Sequence, residues 1–161
     1  MAQPRVSVRL SPDEAWQFVR EGHTGIFMTL RANGVPIATP MWFAVLDRQI
    51  YLQTPARSKK VARLRRDPRV SFLVEAGERW ADLRAVHVTG RSEVVDDDHI
   101  AQRVAAEMER KYAAFRTART AMPEATRRHY ETAFVLIRIV PDAHLISWDN
   151  RKLRPAGAVS S

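Results

Sequence analysis

The sequence contains no cysteine, so it forms no disulfide, offers no thiolate nucleophile and lacks the sulfur ligands of common structural zinc sites. No run approaches the ~20 apolar residues of a membrane helix, and the first residues lack the apolar core of a signal peptide. A soluble, cytoplasmic protein is expected. The histidines, His23, His87, His99, His129 and His144, show no ligand spacing such as a pair one helical turn apart, and no metal site is assigned. No Ser/His/Asp arrangement, paired catalytic carboxylates, helix-turn-helix, zinc finger or internal repeat stands out, so no residue is assigned as catalytic.

Positive charge, in contrast, is plentiful. With 26 Lys+Arg against 18 Asp+Glu, the net charge of +8 suits a polyanionic ligand: a phosphorylated cofactor, nucleic acid or an acidic membrane surface. The surplus is local, because residues 55–69 carry Arg57, Lys59, Lys60, Arg63, Arg65, Arg66 and Arg69 against the single acid Asp67. At 161 residues and 45% hydrophobic content, the chain is read as one domain, with a core over about 11–150 and a polar tail over 151–161.

Ser11-Pro-Asp-Glu14 has the form of a capping box opening a short helix that stops at Gly22. Gly25–Leu30 reads as a strand, Asn33-Gly34 as a hairpin turn, and Ile37–Leu46 as the returning strand. After a turn at Asp47-Arg48, Gln49–Thr54 alternates as a half-buried strand, with Ile50 and Leu52 on one face and Tyr51 on the other. Val70, Phe72 and Val74 mark a further strand, and a long one follows from Val86, where Gly90 suggests a bulge or bend. Asp96-Asp-Asp98 caps a long helix whose stripe runs Ile100, Val104, Met108, Tyr112, Phe115 and Met122. A second helix after Pro123 and strands at Phe134–Val140 and His144–Trp148 complete the reading. Strands first and helices late argue for an antiparallel barrel with peripheral helices.

The segment Tyr51–Pro68 joins a strand end, a polar loop and a basic helix start, which is how a chain holds a phosphate: N–H groups without partners and a positive dipole end meet hydroxyls and cations. At 100° per residue, Val61 and Leu64 form the packing side of a helix beginning at Ser58, with Lys60 on its border. Arg57, Ser58 and Lys60 are thus the ligand candidates, with Lys59 pointing outward from the first turn, and Arg63 and Arg66 read as solvated charge. Trp42 and Phe43 fit either a flat ring system or the core, and strand aromatics are more often core. Trp80 and Trp148 either line a second subunit's side of a cleft or cap the barrel, the capping role being preferred.

Gly34-Val-Pro-Ile-Ala-Thr-Pro-Met-Trp-Phe43, Ile50-Tyr-Leu-Gln-Thr54, Ser58-Lys-Lys-Val-Ala-Arg-Leu64 and Asp67-Pro-Arg-Val70, in this order, resemble the pyridoxamine 5'-phosphate oxidase-like superfamily of split-barrel flavin proteins. The similarity is greatest to its actinobacterial flavin- and deazaflavin-dependent branch. It is close over about residues 14–95 and looser to Trp148. The resemblance implies a mainly β fold with peripheral helices, a six-stranded antiparallel split β-barrel, acting as a homodimer with the cofactor between subunits. It implies a phosphate grip at Thr54, Ser58, Lys59 and Lys60, joined by Arg57, and a ring-flanking strand at Thr39, Pro40, Met41 and Trp42. Pro40-Met-Trp-Phe43 and Ser147–Leu153 do not reproduce the pattern of true pyridoxamine phosphate oxidases. The expected activity is hydride transfer between the deazaflavin coenzyme F-420 and an organic substrate, F-420 being favoured over FMN because its acidic tail suits the basic segment. The alternatives are an FMN-binding reductase or oxidase, and a non-catalytic cofactor carrier or nucleic-acid-binding module.

Overall fold

A computed structural model describes residues 7–153, and the distal part of the expected polar tail, 154–161, lies outside them. The capping box forms as expected. Ser11 Oγ accepts from the Glu14 amide, the Glu14 carboxylate accepts from the Ser11 amide, and Pro12 opens helix α1 (Pro12–Glu21). Its apolar face, Ala15, Trp16, Phe18 and Val19, is buried in the core.

Eight antiparallel strands make one curled sheet: β1 (Gly25–Leu30), β2 (Pro36–Met41), β3 (Ala44–Leu46), β4 (Gln49–Pro55), β5 (Arg69–Ala76), β6 (Arg84–Val95), β7 (Phe134–Pro141) and β8 (Ile146–Asp149). They lie in the order β2-β1-β5-β6-β7-β4-β3, with β8 also on β6. The expected returning strand over 37–46 is two strands. β2 pairs with β1 at one margin of the sheet and β3 with β4 at the other, so the Trp42-Phe43 corner carries the chain across the split. Pro36 and Pro40 fit this position, since a strand residue without an N–H is tolerated at a sheet edge. Asp47 and Arg48, both at positive φ (51° and 57°), make the tight β3–β4 turn.

Phe27, Phe43, Phe72, Ile50, Leu52, Val86, Val88, Ile137 and Ile139 fill the barrel interior. Gly90 meets a close backbone approach, where a Cβ would lie 2.2 Å from the Val140 carbonyl oxygen. Helix α2 (Lys59–Arg66) closes one side through Val61 and Leu64. Helix α3 (Asp98–Tyr112), capped by Asp97, packs Val104, Met108 and Tyr112 over Ala44, Tyr51 and Leu136. Two expectations fail here. Tyr51 is buried under α3 and does not lie on an open face of a half-buried strand; the helical stripe ends at Tyr112, leaving Phe115 60% exposed. α4 (Glu124–Tyr130) follows Pro123.

The outer face of the sheet carries a cross-strand row, Pro40–Ile26–Leu73–His87–Ile146, read directly from the pairing registers. Ile146 is 55% exposed, and Nε2 of His87 is buried without a hydrogen-bond partner among the described residues. No described helix is long and apolar enough to cross a membrane.

Candidate functional site

β4 ends by burying Thr54, whose hydroxyl lies 3.3 Å from that of Ser58. Ser58, in extended conformation (φ −70°, ψ 151°), caps α2 by accepting from the Val61 amide at 3.3 Å. The loop is held from outside, because the Ala56 amide donates to Ala133 O at 2.9 Å. α2 has no acid in its first turn, so its positive end and its leading N–H groups stay uncompensated.

Lys60 then joins two segments that are distant in sequence. Its half-buried ammonium lies 3.0 Å from the Met41 sulfur, at the end of β2. A thioether is a weak acceptor for a cation, and burial, aided by repulsion from Arg63, lowers the Lys60 pKa. The structure therefore brings Met41, Thr54, Ser58 and Lys60 to one place, with Arg57 and Lys59 exposed beside them and without partners among the described residues.

Strand alternation divides the ring-flanking run. Thr39 is on the inner face with Met41, opposite Phe27, and its hydroxyl donates to Phe27 O at 3.4 Å; Pro40 is exposed on the outer face opposite Ile26. Trp42 turns toward α3 and stacks on Tyr112, with ring centroids 4.5 Å apart and planes 6° from parallel. Its ring is used in packing, as strand aromatics commonly are.

The solvated reading of two arginines is corrected. Arg63 donates from Nε to the buried Thr29 hydroxyl at 2.8 Å, and Arg66 donates to Leu30 O at 2.7 Å. Their long stems reach around the helix and bind it to β1. Arg69 forks onto Asp67, holding that carboxyl down at about 2 through hydrogen bonds and charge. Of the basic segment, Arg57, Lys59 and Arg65 have no partner among the described residues. Trp80, 68% exposed, does not cap the barrel.

Sequence reasoning missed Lys111. Its half-buried ammonium stands 3.8 Å from the Phe43 ring centre and donates to Phe43 O at 3.3 Å. Burial pushes its pKa down to about 8, against the pull of Glu107. Its place beside Tyr112 on the buried side of α3 was the available signal. Tyr112 locks the same corner, with its hydroxyl accepting from the Phe43 amide and lying 2.9 Å from His23 O.

A family model described as "Pyridoxamine 5'-phosphate oxidase" matches residues 11–143. Among solved structures, a conserved hypothetical protein of Mycobacterium tuberculosis is 35% identical, with 99% of this chain and 98% of that chain covered and a TM-score of 0.77. A FAD-binding protein of Mesorhizobium loti (22% identity, 86% and 93% covered, TM-score 0.64) and an F-420 reductase (20%, 84% and 98%, TM-score 0.61) share the fold. No curated protein matches significantly.

Proposed function

Because the chain belongs to the pyridoxamine 5'-phosphate oxidase family, we propose that it is an oxidoreductase holding a phosphorylated flavin-type coenzyme at the N-terminus of α2. The carrying observation is Lys60, a half-buried cation whose sole hydrogen-bond partner among the described residues is a thioether. An incoming phosphate gives that ammonium a strong acceptor, together with the Ser58 and Thr54 hydroxyls and the first-turn amides. Arg57 and Lys59 add charge at the rim. The residues present thus fit such a group.

Within this class, F-420 is favoured over FMN by charge. Arg57 and Lys59 stand uncommitted beside the grip and Arg65 uncommitted in the last turn of α2, and an acidic tail running along the helix uses more of them than one terminal phosphate does. When bound, the coenzyme supplies the hydride chemistry, and the protein binds it, orients it along the inner face of β2 and limits water. No side chain is assigned a proton. A homodimer completes the site, with the outer face of the sheet around Ile26 and Leu73 as the surface that receives the second copy. The departures at Pro40–Phe43 and Ser147–Leu153 argue against vitamin B6 oxidation.

Mass spectrometry of the small molecule that co-purifies, followed by fluorescence titration with F-420 and FMN, tests the reading. F-420 binding that weakens at least about tenfold in Lys60→Gln is expected, the loss of one charge-assisted contact. Tighter FMN binding shifts the assignment to an FMN enzyme. A co-purifying haem, or steeply salt-dependent binding to random DNA with neither coenzyme bound, overturns it.

A further inference from the structure

The chain leaves the body of the fold after Tyr112 and returns at Phe134, and what lies between buries almost nothing of itself. Tyr112 is fully buried. Of residues 113–133, every one whose burial is described is exposed except the half-buried Met122. The segment consists of short helical turns at Ala113–Phe115 and Arg119–Ala121 and the seven-residue α4. A connection of this length that is ordered without burying a core face pays conformational entropy with little return, and such connections are commonly functional.

Its two ends stand on the two flanks of the site. At one, Tyr112 stacks on Trp42, the residue after Met41, and Phe115 meets the His23 ring at 4.5 Å. At the other, Ala133 O accepts from the amide of Ala56, two residues before Ser58, and Phe134 lies opposite Pro55. The excursion is therefore anchored beside Met41 and beside the phosphate loop, the two places that Lys60 and Ser58 link. It is also basic, with four arginines against Glu124 and Glu131. Arg116 pairs with Glu109 and Arg128 with Glu124, while Arg119 and Arg127 have no partner among the described residues.

We propose that residues 113–133 form a strap that closes over the anionic ligand held at Ser58 and Lys60, with Arg119 and Arg127 as its ligand-facing charges. The inference rests on the coenzyme reading above. Closure exchanges exposed surface for contact with the ligand and puts two uncommitted guanidinium groups to use as anion donors.

Limited trypsin digestion tests it, because Arg116, Arg119, Arg127 and Arg128 make the segment a ready substrate. The full chain is digested alone and with saturating F-420 or FMN, binding being verified by tryptophan fluorescence. Closure predicts at least about tenfold slower cleavage within 113–133 when coenzyme is bound, since cutting tracks the open population. It also predicts about fivefold weaker coenzyme binding in Arg119→Ala/Arg127→Ala with an unchanged melting temperature, as surface changes leave stability nearly intact. Coenzyme that binds while cleavage and the double variant's affinity stay unchanged removes the strap and leaves the coenzyme site standing. Binding of neither coenzyme removes both readings. Protection that grows with protein concentration in the absence of coenzyme assigns the segment to contact with a second copy and overturns the proposal.

Discussion

Lys60 and Arg63 are three residues apart on one helix, yet they serve different ends. Arg63 satisfies Thr29, which is buried and has no other partner shown for its hydroxyl. Arg63→Ala orphans that group, and a loss of about 1–3 kcal/mol in urea unfolding is expected, the cost of breaking a charge-assisted bond to a buried hydroxyl. Lys60→Gln removes a desolvated charge that lacks a strong acceptor, so stability holds while coenzyme affinity falls. Parallel melting and titration of the two variants separate these roles. Lys111 carries the clearest pH signature. Its pKa in the fold is about 8 against an ordinary 10.5, so between these values the unfolded chain binds more protons and stability rises with pH. Tyr112 acts oppositely: burial raises its pKa from 10.0 to about 12, and stability falls as pH climbs through that window. Denaturation of the wild type and Lys111→Met at pH 7, 9 and 10 is expected to show the advantage of the variant shrinking as pH rises. An advantage independent of pH contradicts the assignment.

At the scale of elements, Gly90 sets the path of β6, which leaves β8 after His87 and takes up β7 from Gly90 onward. Gly90→Ala drives a Cβ to 2.2 Å from a backbone carbonyl that cannot rotate away, and destabilisation of about 3 kcal/mol is expected from the forced backbone shift. Equilibrium urea unfolding checks it; a change below about 0.5 kcal/mol, the range of ordinary surface substitutions, contradicts the close approach. That glycine was legible in the sequence because it interrupts a long alternating run. So was the α1 box, and so was the convergence of Thr54, Ser58 and Lys60, which depends on a cap and a helix border within a few residues. The Trp42-Phe43 corner was not legible, since period-2 alternation continues through it and only the sheet's closure decides that the chain changes margins. The partners of Arg63 and Arg66 lie in β1, beyond the reach of helical geometry. Tyr51 was misplaced for a related reason: α3 covers what alternation alone marks as an open face. No glycine or proline stops the stripe before Pro123, so the end of α3 at Tyr112 was hidden as well.

At the scale of the whole molecule, the proposed dimer turns on the outer face of the sheet. The row from Pro40 to Ile146 is flanked on one side by Arg69 and Arg91, directly opposite each other, and on the other by Glu75, beside Ala85 and Trp148. Neither Arg91 nor Glu75 has a partner among the described residues. A second copy related by a two-fold axis that reverses the strand direction sets the basic end of each face against the acidic end of the other. It also lays apolar row on apolar row. Arg69 is already paired with Asp67, whereas Arg91 has no acidic partner among the described residues, and in the proposed dimer the facing Glu75 supplies one. Leu73→Glu, at the centre of the row, is then expected to convert a dimer to a monomer in sedimentation velocity with little change in far-UV circular dichroism. If the proposed dimer completes the site, coenzyme affinity falls in parallel. Arg91→Glu paired with Glu75→Arg provides the sharper check: each single change weakens the dimer, and the double exchange restores it if the two residues meet across the two-fold. A wild-type chain that sediments as a monomer at tens of micromolar, or a Leu73→Glu dimer indistinguishable from wild type, removes this face from the site.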